Sequence, residues 1–497
     1  MSPFETSTTL GGKPHGVRLT VELAIGLAIA FLALRTWCIA WFVVASGSMA
    51  PALVGPHVRA VCPECEFTFD CGIEGPESLG RPAVCPNCGA IGDPIDEAAQ
   101  ASGNRLPVHQ TAFTTRLPRR WEVVAFRQPA KAGEICVKRV VGLPGESIDI
   151  RDGDVFVDGQ ILRKSLPEQR AMAVLVHDNN FRPQSNPTMP PRWRAEQGDS
   201  LWQANDGGFV HPTKAGQATN DGWHALSEAK GVERGETTSI GPEGVPAKSA
   251  VATSMPSASP GIDWLTYHHQ RRVAGVPHAT EETPLVDAYG YNQTRPVLAQ
   301  YAIHDVLLSC RIKASGGGVV AFRACDGDDT FIALLDPSRK QAQLHRFGQR
   351  MLLWELELSA LTAGALVEVS LIDRQFLLAI DGQPLLSMPY ERTSSDLLAR
   401  QWPGGDGQPT ARPLAIGSLG AAIEVQDLRV LRDVYYVPIA AADSPLGGGI
   451  SVRLTADEYY MLGDNSPLSH DSRSRSIDAA VPAKLLLGKP LILTVPW

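Results

Sequence analysis

Two stretches of the chain carry residue types in spacings that chemistry can use: a serine pair, Ser46-Gly47-Ser48-Met49, and two Cys-x-x-Cys knuckles, Cys62-Pro63-Glu64-Cys65 and Cys85-Pro86-Asn87-Cys88-Gly89. A serine hydroxyl is a weak nucleophile at neutral pH, so Ser48 can act only if a base elsewhere takes its proton. Lys138 is the candidate base, set among apolar residues in Ile135-Cys136-Val137-Lys138-Arg139-Val140-Val141. A lysine in apolar surroundings loses its charge readily. In a strand, Cys136, Lys138 and Val140 share one face and Val137, Arg139 and Val141 the other. One of the two basic side chains therefore meets apolar surroundings unless the strand lies at an edge. The competing readings are an ordinary Ser-Gly loop and a surface lysine on an edge strand.

The knuckles are 19 residues apart, and four thiolates at this spacing suit a tetrahedral structural zinc. Such a site is saturated by Cys62, Cys65, Cys85 and Cys88, with no position open for chemistry. Two disulfides are the alternative if the segment faces an oxidising compartment. Cys71, a fifth thiol in the segment, has no assigned role.

These residues need elements to position them. At 497 residues the chain is expected to form about three domains, and 46 Gly with 38 Pro favour a mainly β, loop-rich architecture. The net charge of -8 and the lack of a basic run give nucleic-acid binding little support. Residues 1–16 read as a disordered tail. Residues 17–44 read as an uncleaved transmembrane anchor, with Glu22 and Arg35 near its ends and Trp37 and Trp41 suiting the interface. Lys13 and Arg18 would stay inside and everything after Val44 outside. A cleavable signal and a buried core helix are the alternatives.

Short strands follow at Val123–Phe126, Ile135–Val141, Ser147–Arg151 and Val155–Val157, with Asp158-Gly159 as a hairpin turn. Residues 166–300 read as an irregular insertion and linker. From Val306 seven short strands at regular spacing, with an Asp381-Gly382 hairpin, predict an antiparallel sandwich. The last region runs from Tyr459 through Gly463-Asp464-Asn465 to Ser469-His470-Asp471-Ser472-Arg473, with a final strand expected over residues 490–495.

Three of these stretches, in order, resemble motifs of the bacterial type I signal peptidases, S26-family serine proteases with a Ser/Lys dyad. Ser46-Gly47-Ser48-Met49-Ala50-Pro51 is similar to S-x-S-M-x-P, and Lys138 to Glu146 is similar to K-R-x-V-G-L-P-G-[DE]. Gly463 to Arg473 is similar to G-D-N-x-x-x-S-x-D-S-R. The resemblance covers about a third of the chain. It departs from the family at Arg120-Trp121-Glu122, at Pro51-Ala52-Leu53 and at Ser466-Pro467.

The resemblance implies Ser48 as nucleophile, Lys138 as general base and Ser469 as the residue orienting the lysine. Asp471 and Arg473 would brace the site, and the oxyanion would be held by the Ser48 N–H and the Ser46 hydroxyl. The implied protein is a single-pass enzyme of the plasma membrane, its catalytic core on the outer (periplasmic) face. It would remove signal peptides from exported preproteins at the lipid bilayer without a catalytic cofactor. The catalytic core would comprise 45–60, 105–165 and 436–497, with a zinc ribbon at 58–92 and a concanavalin-like sandwich at 301–435 as insertions; the sandwich has no assigned ligand. Two rivals stand beside this reading. One is a self-cleaving repressor of the Ser/Lys type, which the anchor disfavours. The other is a membrane-tethered binding protein with a dead protease core.

Overall fold

The computed structural model describes residues 15–73, 75, 78–129, 133–183, 190–213, 261–273, 279–293, 300–346, 349–355, 357–391, 410–437, 451–473 and 480–491. The expected tail falls almost wholly outside them. So do residues 492–497, and with them most of the strand expected over 490–495; the last strand among the described residues is Leu486–Pro490.

The fold is mainly β, as expected. Helix α1 (His15–Cys38) leads directly into strand β1 (Ile39–Val43). The helix thus ends before the apolar run expected as an anchor over 17–44 does: Ile39, Trp41, Phe42 and Val43 are β-branched or aromatic, and they find a partner strand at Arg105–His109. Among the described residues no helix is long and apolar enough to cross a membrane. Arg18, paired with Glu22 at 2.8 Å, and Arg35 interrupt the apolar sequence of α1. Leu19, Val21, Leu23, Ile25, Leu27, Ile29, Phe31 and Leu32 on it are each more than half exposed.

The sheet that positions the candidate chemistry is antiparallel and seven-stranded. Its strands are β1, β2 (Arg105–His109), β3 (Val123–Arg127), β4 (Ile135–Gly142), β5 (Glu458–Leu462) and β6 (Leu486–Pro490), with Val481–Pro482 at one edge. Their order is β1-β2-β6-β3-β4-β5, so β4 lies inside the sheet between β3 and β5. A smaller sheet beside it contains the hairpin Asp154–Val157 and Gln160–Ile161. Its turn, Asp158-Gly159, has positive φ at both residues, 48° and 83°, the conformation a two-residue hairpin loop requires.

The cysteine segment is built from two hairpins. His57–Val61 pairs with Thr68–Gly72, and Pro82–Val84 with Ile91–Pro94, and each pair carries one knuckle at its tip. A further strand, Gln100–Ala101, pairs with the first strand of this unit. Cys71 lies fully buried in its core, where burial pushes its thiol up to about 12, and it acts as a small apolar side chain.

Two large antiparallel sheets, of eight and seven strands, form a β-sandwich. Phe331 of one sheet meets Phe376 of the other at 5.6 Å within a continuous apolar core. The Asp381-Gly382 turn again has positive φ at both positions, 47° and 76°. Residues 166–300, expected as irregular, supply strands to both sheets. Val174–Asp178 and Gly208–His211 pair with Ala422–Arg432, and Asp263–Tyr267 pairs with Leu414–Leu419.

Candidate active site

Because β4 is covered on both faces, Lys138 and Arg139 are both buried, each 4% exposed. They meet burial differently. Arg139 grips Asp464, Nε to Oδ1 at 2.8 Å and Nη2 to Oδ2 at 2.5 Å, and donates to the Trp121 carbonyl at 2.8 Å. Lys138 makes no ion pair among the described residues. Burial holds its ammonium below the ordinary lysine range; Asp471 opposes this, but that carboxylate has an arginine of its own.

Gly463 is the point on which the candidate residues converge. Leu462, just before it, pairs across the sheet with Arg139, the neighbour of Lys138. A Cβ on Gly463 would collide with the Ser48 carbonyl oxygen and with Ser469 Oγ, so only glycine admits both. The serine loop is pinned by Asn465, whose backbone N–H donates to Ser48 O at 3.1 Å and whose Nδ2 donates to Gly47 O at 2.9 Å. Asn104 holds both ends of the loop. It accepts from Val44 N–H at 3.0 Å and from Val54 N–H through Oδ1 at 2.8 Å.

Within the loop Ser46 is exposed and Ser48 half-buried, their hydroxyl oxygens 3.3 Å apart. Ser48 and Lys138 are not hydrogen-bonded to each other; contacts of this kind often tighten only when substrate binds. Ser469 is buried and its Oγ has no hydrogen-bond partner among the described residues. An orphaned buried hydroxyl is costly, and it leaves a polar group free beside the lysine strand.

Asp471 and Arg473 form a buried two-pronged pair at 2.9 and 2.8 Å, and Asp471 also accepts from Gly463 N–H at 3.0 Å. Burial alone would raise Asp471, but the Arg473 guanidinium holds it below the usual carboxylate range. Two of the three departures from the family pattern are absorbed. Ser466 Oγ accepts from Arg473 at 2.6 Å, Arg120 pairs with Glu146, and Glu122 takes Arg116 at 2.8 Å and Lys489 at 2.9 Å.

Three contributors escaped the sequence reading. Asp464, part of the Gly-Asp-Asn motif, holds Arg139, Tyr289 donates to the Asp464 carbonyl at 2.9 Å, and Asn292 exchanges hydrogen bonds with Asn465. The apolar strand around Arg139 was a signal for a buried counterion such as Asp464. Nothing local marks the other two.

The four knuckle cysteines are buried, with sulfurs all within 4.8 Å of one another. Cys62 and Cys88 sulfurs lie 3.5 Å apart and those of Cys65 and Cys85 3.7 Å. These are close to the roughly 3.8 Å edge of a tetrahedron with Zn–S of about 2.3 Å, and no disulfide joins them. The backbone N–H groups of Glu64 and Cys65 aim at Cys62 Sγ, each at 3.4 Å. The donor set fits a structural zinc.

Comparison with known proteins bears on part of this site. Residues 94–203, which include Lys138, match a family described as signal peptidase, peptidase S26. The chain is 29% identical over 87 residues to probable signal peptidase I-1 of Synechocystis sp., covering 15% of this chain and 44% of that protein. It is 32% identical over 69 residues to signal peptidase I of Leptolyngbya laminosa, covering 12% and 34%. With signal peptidase I V of Bacillus subtilis the figures are 34% identity over 58 residues, 12% and 33%. The chain thus spans less than half the length of each of these relatives. Among solved structures it is similar to the carbohydrate binding module CBM66 from Bacillus subtilis, at 9% identity and a TM-score of 0.20, covering 34% of this chain and 94% of that one. A score this low carries no argument about fold or function.

Proposed function

We propose that the chain is a membrane-associated serine endopeptidase of the signal peptidase I type, working through Ser48 and Lys138. The observation that carries this reading is a buried lysine with no ion pair among the described residues, on a strand inside the sheet, next to the glycine that seats both the Ser48 backbone and the Ser469 hydroxyl. Neutral Lys138 takes the Ser48 proton as Ser48 Oγ bonds to the scissile carbonyl carbon. The ammonium then returns a proton to the leaving amine as the C–N bond breaks. Water, deprotonated by the same lysine, hydrolyses the acyl-enzyme and frees Ser48. The Ser48 N–H and the Ser46 hydroxyl hold the oxyanion, and Ser469 orients the lysine while Asp471 and Arg473 brace it.

The substrates in this reading are signal peptides of exported preproteins, with small Ala-like residues on the acyl side. The exposed apolar row of α1 lodges in the lipid bilayer and holds the core on the outer face of the plasma membrane, where signal segments end. The test is cleavage of a preprotein whose signal ends in Ala-x-Ala by the full chain in detergent. Wild type cleaves, Ser48→Ala does not, and processing that persists in purified Ser48→Ala would overturn the reading.

A second reading is a tethered binding protein with an inactive core, and the open contact between Ser48 and Lys138 favours it. It gains if wild type fails to cleave although folded. In both readings Cys62, Cys65, Cys85 and Cys88 hold a structural zinc. Metal analysis is expected to find one zinc per chain, lost in Cys62→Ser. Intact mass showing two disulfides in that segment would refute the metal.

A further inference from the structure

We propose that Tyr289–Gln293, a segment of the long insertion outside the family match, is a clamp that sets the nucleophile loop, with Asn292 as positioning residue. The inference rests on the reading of Ser48 as nucleophile. Asn465 is completely buried and ties two successive carbonyls of the loop, Gly47 through Nδ2 and Ser48 through its backbone N–H. An amide side chain can do this only one way round: turned over, its Oδ1 would face the Gly47 carbonyl, oxygen against oxygen. The Gly47 carbonyl thus sets the orientation, and Asn292 holds the amide in it. Its Nδ2 donates to Asn465 Oδ1 and its Oδ1 accepts from Asn465 Nδ2, both at 2.7 Å, so the pair is reciprocal.

Asn292 is itself held from both sides. Tyr289 donates to the Asp464 carbonyl at 2.9 Å, with the Arg432 guanidinium 4.4 Å over its ring. Tyr291 donates to Pro56 O at 2.9 Å and packs against Ala50 and Val54, just beyond the serines. Gln293 Oε1 accepts from Val84 N–H at 2.5 Å and its Nε2 donates to Val84 O, immediately before Cys85. The cysteine hairpin is thus the clamp's outer seat and Asn465 its inner contact.

Because Asn292 touches neither serine, it acts through geometry. A displacement of about 1 Å at a reacting group costs on the order of 100-fold in rate. Asn292→Ala is therefore expected to lower kcat about 10- to 100-fold on the Ala-x-Ala preprotein, with KM near wild type. Asn292→Asp, which still accepts from Asn465 Nδ2 but cannot donate to Oδ1, is expected between the two. In an Asn465→Ala background, adding Asn292→Ala changes nothing further.

A second readout does not depend on catalysis: amide hydrogen exchange of the full chain in detergent. Peptides over residues 44–55 are expected to exchange at least about tenfold faster in Asn292→Ala, while peptides over 319–335 of the sandwich stay at wild-type rates. Wild-type kcat and wild-type exchange in Asn292→Ala would overturn the clamp, and so would faster exchange spread over the sandwich, which marks a merely structural role. If the wild-type chain cleaves nothing, the functional reading fails and the exchange experiment alone decides the clamp.

Discussion

Lys138 in the sheet of the candidate site and Lys164 at the junction with the sandwich are buried to the same degree, 4% and 3% exposed, and the two regions hold them in opposite ways. Lys164 lies 2.7 Å from Asp373 and 2.9 Å from Asp433, with its ammonium 4.9 Å over the Trp121 ring. Burial pushes both lysines down. At Lys164 the two carboxylates outweigh it and the ammonium ends above its ordinary range; at Lys138 nothing does, and it ends below. One ammonium shared by two buried carboxylates cannot keep both fully ionised, and burial carries Asp433 up to about 6. Burial alone therefore does not identify a reactive lysine. What separates the two is the counterion: among the described residues Lys164 has two and Lys138 has none.

The same substitution at the two sites gives the sharpest test. Lys138→Met keeps the stem and removes the amine, so cleavage is expected to fall by at least about 10⁴-fold, the upper range for a lost general base. Stability should hold or rise, because no buried partner is left unpaired. Lys164→Met strands Asp373 and Asp433. Removing one side of a buried ion pair costs about 3–5 kcal/mol, read here as a lower denaturation midpoint, with kcat per folded molecule within a few-fold of wild type. The contrast collapses if Lys138→Met is the variant that unfolds, or if Lys164→Met is the one that stops cleaving.

How much of this was legible depended on the range of the interaction. The Lys138 strand declared itself because a basic pair inside an apolar run has few readings, and β4 was foreseen to within a residue at its end. Asp158-Gly159 and Asp381-Gly382 were legible because only certain residues accept positive φ twice in succession. The strands of residues 166–300 were not. They are three to five residues long, too short to display a period, and Val174–Asp178, Gly208–His211 and Asp263–Tyr267 pair with strands at the far end of the insertion. The end of α1 was misjudged because apolarity does not distinguish the last turns of a helix from a strand such as Ile39–Val43. Asn292 was invisible, since an amide pair spanning 173 residues leaves no local pattern.

The smallest expected effect is the pH profile, and it asks whether the difference between the two lysines is one of charge. Lys138 must be neutral to take the Ser48 proton, and its pKa in the fold is lowered. Below that pKa the neutral fraction falls about tenfold per pH unit, so log kcat/KM is expected to rise with unit slope on the acid side and then level off. Asp471 cannot produce that limb: Arg473 holds it below the usual carboxylate range, so it is already ionised where the limb lies. Lys164 cannot either, because its raised pKa keeps it charged throughout, and its contribution to stability is lost only as pH rises through that raised value. Steady-state cleavage across pH therefore isolates Lys138. In Lys164→Met the acid limb should keep its midpoint, whereas a limb that moves with Lys164, or a profile flat through the acid range, would mean that the base is some other group.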